Sequence, residues 1–234
     1  MDLRPDSPMN SDALRQAAHS LRSTLEASLA SRDRAGAVNA ALAAVDSGSL
    51  GIAELYTLVL GPLLADTGSA WQRGETMVWE EHLASATVRT IIESLAPRVL
   101  AQAAEKPARD TVVLLACPPE EYHDLGLRML FDRFLLAGYP AFYLGADAPV
   151  PEILRAAQTL GAGLVVLSAS THFHRVSLRQ VVEDLVCELP GRAQVAVGGP
   201  AFEGEAMWTA CGLAEVLDQA AWELPGLPPS EETH

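Results

Sequence analysis

The chain has 234 residues, 49% of them hydrophobic, with a net charge of −14 and a pI of about 4.7. That length admits one large or two small domains, each with a real core. The acidic balance argues against a nucleic-acid partner held through phosphate contacts, no apolar run is long enough for a membrane span, and the polar start at Met1–Asp6 has no signal-peptide core.

From residue 10 to about 103 the chain is rich in Ala and Leu and shows no strand alternation. Breaks near Arg32, Gly48 and Gly74 divide it into four predicted helices, at about Ser11–Ser31, Arg34–Asp46, Ile52–Ala70 and Met77–Gln102. Short connections favour an antiparallel four-helix bundle. Pro62 lacks a backbone donor and should kink the third helix. Thr76 is placed to cap the fourth, with Glu80 and Glu81 near the positive end of its dipole.

Ala104–Arg109 reads as a polar linker containing Pro107. Beyond it, apolar runs alternate with amphipathic stretches. Strands are predicted at Thr111–Ala116, Ala141–Leu144, Leu164–Leu167, Gln194–Val197 and Ala214–Leu217, with helices between them. The fold class is therefore α/β: a four-helix bundle, then a doubly wound parallel five-stranded sheet. The domains expected are 10–103 and 110–224, with a Pro- and Glu-rich flexible tail at 225–234. Cys117, Cys187 and Cys211 are odd in number and lack zinc or CxxC spacing, as in a protein of the reducing cytoplasm.

Three motifs carry the chemistry. Glu121-Tyr122-His123-Asp124-Leu125-Gly126 follows the first strand, so His123 sits where open α/β sheets bind ligands. Forty-one residues separate Gly126 from Ser168-Ala169-Ser170, and 27 separate Ser170 from Gly198-Gly199. This set resembles the cobalamin-binding signature D-x-H-x-x-G, S-x-L and G-G in order and spacing. The resemblance implies a Rossmann-like (flavodoxin-like) cobalamin domain. It also implies that His123 ligates cobalt from below while the cofactor's dimethylbenzimidazole tail is buried in the sheet domain. Neutral imidazole suits a borderline metal, and a carboxylate on its second nitrogen tunes it.

The chain departs from the signature twice. Glu121 stands for the family's Asp, so that Glu121, Asp124 or water is the expected partner of His123. Ser170 stands for its Leu and makes the pocket wall more polar. Ser168 matches the serine that hydrogen-bonds the tail. Gly126, Gly198 and Gly199 allow close approach of the cofactor.

In the bundle, Trp71 is followed after nine residues by Glu81-His82. This W-x9-E-H pattern resembles the upper-ligand motif of cobalamin-dependent photoreceptors, the CarH-type light-sensing regulators. The resemblance assigns Trp71 to stacking near an adenosyl group, and Glu81 and His82 to polar contacts around it. Family members that lock cobalt between two histidines after light have a histidine just after the motif Trp; here it is Gln72, which argues against a bis-histidine state through that position. His19 and His82 are the other bundle histidines. His172 and His174 lie near the ligand crevice and read as exposed loop residues. Trp79, Trp208 and Trp222 read as packing residues.

The resemblance implies a cytoplasmic light sensor that binds adenosylcobalamin. It would form a homo-oligomer or signal to a protein partner. The residues before the bundle leave no room for a helix-turn-helix module, so no direct nucleic-acid binding is expected, and no side chain reads as a catalytic nucleophile or an acid–base pair, so no enzymatic turnover is expected. A photocobilin-like variant would add biliverdin. The alternative is a corrinoid protein that carries a methyl group for a partner methyltransferase.

Overall fold

The computed structural model describes residues 11–189, 193–202 and 216–217. Two compact units divide between Val99 and Leu100.

The first unit is helical. Helix α1 (Ser11–Ala30) packs on α2 (Arg34–Asp46). Asp33 caps α2, its carboxylate accepting the Gly36 N–H at 2.8 Å. The third helical stretch is not simply kinked at Pro62. It runs as α3 (Ile52–Glu54), a π-helical segment (Leu55–Leu60) and α4 (Gly61–Gln72). The Gly61 N–H bonds to the Tyr56 carbonyl, five residues back. This wider turn absorbs the missing donor and the ring of Pro62 at the start of α4.

Helix α5 (Val78–Ala104) runs through Pro97 unbroken. Its start is capped by Glu80, which accepts the Met77 N–H at 2.9 Å, and not by the predicted Thr76. The bundle core holds Leu25, Ala41, Leu55, Tyr56, Leu60, Ile91, Ile92 and Leu95, all essentially inaccessible. Arg98 on α5 grips Asp46 on α2 with two N–H···O bonds of 2.6 and 2.7 Å.

The second unit alternates strands and helices: β1 (Val113–Ala116), α6 (Leu125–Leu136), β2 (Ala141–Gly145), α7 (Val150–Leu160), β3 (Leu164–Ser168), α8 (His172–Glu188), β4 (Gln194–Gly198), a 3-10 turn (Pro200–Phe202) and β5 (Val216–Leu217). Every strand pair is parallel, in the order β2-β1-β3-β4-β5. The chain steps outward from β1 to β2, then back past β1 to β3. That reversal opens a crevice beyond the carboxyl ends of β1 and β3.

The inner strands are apolar throughout because both faces are covered. Leu114, Val165 and Leu167 face α7 and α8. Val113, Leu115 and Val166 face α6 through Leu127, Leu130 and Phe134. Edge strand β2 alternates instead, leaving Phe142 and Leu144 partly exposed. The predicted α/β class and all five strands are present. Residues 214 and 215 of the predicted last strand, and the tail from 225, lie outside the described residues.

Candidate functional site

The loop from β1 to α6 is stitched to the loop after β2. Cys117 N–H donates to the Gly145 carbonyl and Ala148 N–H to the Cys117 carbonyl, both at 2.9 Å. Asp147 N–H donates to the Glu121 carbonyl at 3.0 Å, and the Asp147 carboxylate accepts the Glu120 N–H at 2.8 Å. Glu120 (φ 68°) and Asp147 (φ 52°) take left-handed backbone to close this pair of turns. The result drives Glu121 fully inward and leaves the His123 side chain 67% accessible.

Around Glu121 four donors converge. One carboxylate oxygen accepts the His123 backbone N–H at 2.9 Å and the ring Nδ1–H at 2.7 Å. The other accepts the Ser170 backbone N–H and its hydroxyl, both at 2.7 Å. Ser170 Oγ also lies 2.8 Å from His123 Nδ1. Burial alone would push the Glu121 carboxyl up, but the bonds from His123 and Ser170 outweigh it and hold it down at about 2. A carboxylate facing Nδ1 keeps the proton there, which puts the imidazole lone pair on Nε2, the nitrogen a metal would take.

Asp124 is engaged elsewhere: Tyr143 donates its hydroxyl to the Asp124 carboxylate at 2.8 Å. Cys117 is buried, and burial, then the Glu121 and Asp124 carboxylates, pushes its thiol up to about 12. It stays a neutral thiol and no competitor for a metal.

Ser168 ends β3 opposite Gly198 on β4. Gly199 follows at φ 102°, where an added Cβ would sit 2.4 Å from the Ala169 carbonyl oxygen and 2.9 Å from Ser168 Oγ. Only glycine fits there. At Gly126, by contrast, a Cβ would meet nothing within 4 Å. The start of α6 thus faces open space beside the His123 loop. Ser170, expected on the wall of a tail pocket, is instead bonded to Glu121 and His123. Its role escaped the sequence reading, as did those of Tyr143 and Asp147. The joint signal was two departures from one signature.

In the first unit Trp71 closes α4 with its side chain 47% exposed. Glu81 and His82 lie in the first turns of α5. Glu81 joins two side chains: His82 Nδ1 at 2.5 Å and the Ser85 hydroxyl at 2.6 Å. His82 is 72% exposed and Glu81 23%. Trp71 stands outside this hydrogen-bonded group. Gln72 is the exposed last residue of α4, and His19 is exposed on α1. Trp79 is not a packing residue: it is 50% exposed, with the Arg32 guanidinium 5.6 Å from its ring centre. It starts a helix whose apolar side is already filled by Ala84, Val88 and Ile91.

His172 and His174 belong to α8, not to a loop, and their side chains lie outside the described residues, as do Trp208, Cys211 and Trp222. Among the described residues no helix is long and apolar enough to cross a membrane. Nor is any group of three or more His, Cys, Asp or Glu side chains arranged to hold a bare ion.

Residues 111–220 match a B12 binding domain, and residues 21–96 match a second domain of the same description. The chain is 34% identical over 143 residues to the HTH-type transcriptional repressor CarH of Myxococcus xanthus, a match that covers 61% of this chain and 46% of the repressor. It thus spans under half of that relative's length. It is 24% identical over 159 residues to a corrinoid protein of Desulfitobacterium hafniense, covering 65% of this chain and 72% of that one. The monomethylamine corrinoid protein of Methanosarcina barkeri shares the fold, with a TM-score of 0.70 and 16% identity over 91% of this chain and 95% of that one.

Proposed function

With a B12 binding domain matched in each unit, the chain is a cobalamin-binding protein, and from that premise we propose that it is a light sensor loaded with adenosylcobalamin. The residues fit such a cofactor. One exposed imidazole with a fixed tautomer suffices where the metal arrives inside its own macrocycle. Gly126 faces open space, and Gly199 brings backbone close to Ser168 where a side chain would intrude. When bound, adenosylcobalamin supplies a cobalt–carbon bond that light can break.

His123, its orientation fixed by Glu121, would hold the metal. Ser168 and the Gly198-Gly199 turn would receive the nucleotide tail. Trp71, Glu81 and His82 would supply contacts to the adenosyl group. The reading is carried by one observation above all: an exposed Trp71 followed, across one turn, by an exposed His82 bonded to Glu81, which also accepts the Ser85 hydroxyl. An indole left half in water makes sense as a wall waiting for a planar ligand. Loss of the adenosyl group would free these side chains and shift the balance between two arrangements of the protein. The output passes through a change of oligomeric state or a protein partner.

The test is the absorption spectrum and particle size of the protein loaded with adenosylcobalamin in the dark, before and after green light. The proposal expects a protein-specific spectral change and a shift in size or partner binding. It expects Trp71→Ala to keep cobalamin and lose the coupled response. Added biliverdin would bring far-red bands if a bilin is a second chromophore.

A second reading is a corrinoid carrier of methyl groups for a partner methyltransferase. It is favoured by the relative from Desulfitobacterium hafniense, itself a corrinoid protein. Preference for methylcobalamin over adenosylcobalamin, with no protein-specific response to light, would select it.

A further inference from the structure

We infer that Glu121 and Ser170 are a coupled pair, and that Ser170 is a positioning residue which, through that pair, sets the cobalt-binding nitrogen of His123. This rests on the reading of His123 as the lower ligand.

The two positions where the chain departs from the cobalamin signature lie 49 residues apart in sequence yet share one carboxylate. The longer Glu121 side chain bridges two backbone segments, the loop after β1 and the end of β3. One oxygen serves His123 and the other serves Ser170. An Asp here would fall short by about one carbon–carbon bond, roughly 1.5 Å. With the backbone in place it would serve one end or the other.

The direction of each bond follows from proton counting. The carboxylate only accepts. The Ser170 hydroxyl has a single proton, which goes to Glu121 at 2.7 Å. Its lone pairs therefore face His123 Nδ1 at 2.8 Å. The Nδ1–H thus points at two acceptors, Glu121 and Ser170, which belong to different segments. The opposite tautomer would turn a nitrogen lone pair toward the carboxylate and lose the bond. A ring flip would present carbon to both acceptors. Ser170 thus ties the ligand's orientation to β3 as well as to its own loop. Leucine at 170 would keep the backbone N–H and remove the second acceptor. The two departures compensate each other: the longer acid needs a second anchor, and the serine supplies it.

The experiment uses the 234-residue chain with cobalamin reduced to the cob(II)alamin form. It reads the nitrogen splitting in the electron paramagnetic resonance spectrum and the affinity by titration. Ser170→Ala, Glu121→Asp and the double variant Glu121→Asp/Ser170→Leu are compared with the parent. Each single variant is expected to bind cobalamin about tenfold more weakly and to show a mixed population, part of it without the histidine nitrogen. The double variant is expected to recover a uniform histidine-ligated signal, so that the effects are non-additive.

A role in folding alone would lower the melting temperature of Ser170→Ala without changing its ligated fraction, and that result overturns the inference. So does a double variant that sums the losses of the singles. His123→Ala, made like the parent with histidine carrying the heavy nitrogen isotope, separates the two levels: a doublet that persists in that variant would show that His123 is not the ligand, and both readings would fall. Loss of the doublet there, with Ser170→Ala like the parent, would overturn the coupled pair alone.

Discussion

Each unit of the protein holds a glutamate, a histidine and a serine joined by hydrogen bonds, and the two groups differ in how firmly they are built. In the sheet unit Glu121 is fully buried and receives four donors drawn from two segments. In the bundle Glu81 is 23% exposed, and its two bonds both go to neighbours on one helix, His82 and Ser85. The histidines themselves are about equally accessible, at 67% and 72%. Accessibility alone therefore does not distinguish a ligand from an adaptable contact. What differs is how far the second ring nitrogen is fixed by groups that cannot move together. His123 is pre-organised for one bond, whereas His82 can change partners at little cost.

The two histidines should differ most in what their loss costs. His123→Ala should weaken cobalamin binding by more than about a hundredfold, beyond what the loss of an outer partner costs. His82→Ala should change it only a few-fold. Titration of both variants with hydroxocobalamin checks this, and equal losses would refute the division of roles.

A second contrast concerns glycines. Gly199→Ala combines a φ of 102° with a collision against the Ala169 carbonyl oxygen at 2.4 Å. It should destabilise the apoprotein by about 3 kcal/mol or more. Gly74, in the turn between α4 and α5, has φ 72° and nothing within 4 Å of an added Cβ. Gly74→Ala should cost only the backbone strain, about 1 kcal/mol. Urea unfolding of the two variants measures the difference.

The burial of Glu121 also shapes the acid limb of stability. The Glu121 carboxyl is depressed from 4.5 to about 2 in the folded chain. A group depressed on folding stabilises above its unfolded value, and that contribution fades as pH falls through the folded one. Its share, about 3 kcal/mol, should therefore be intact above about pH 5 and decline from there toward about pH 2. Glu121→Gln should remove that part of the pH dependence, seen as the difference in urea midpoint between about pH 6 and about pH 3. The smallest effect expected is that of Ser85→Ala, within about 0.5 kcal/mol, because its bond lies near the surface of one helix.

Much of this was legible in the sequence, for reasons that can be traced to residues. The inner strands are unbroken apolar runs because α6 on one face and α7 and α8 on the other cover them, so Leu114 and Val165 announced themselves. His123 was visible because it follows such a run directly. The partnership of Glu121 with Ser170 was not, since it depends on how close the ends of β1 and β3 come, which no local pattern encodes. Pro62 warned of trouble in the third helix, but whether a kink or a π segment resolves it depends on keeping Tyr56 and Leu60 in the core. Pro97 went unremarked because a long helix packed through Leu95 and Val99 tolerates one missing bond. Trp79 misled because aromatic size suggests a core, whereas its place at a helix start keeps it at the surface.

The central claim is that one particular histidine nitrogen binds the cobalt. The direct measurement is the electron paramagnetic resonance spectrum of the cob(II)alamin-loaded protein, made once with ordinary histidine and once with histidine carrying the heavy nitrogen isotope. Ligation by His123 predicts a triplet splitting that becomes a doublet on labelling, and a doublet that is lost in labelled His123→Ala. A triplet indifferent to the label would mean that the cofactor's own base holds the metal, and would contradict the account at its foundation.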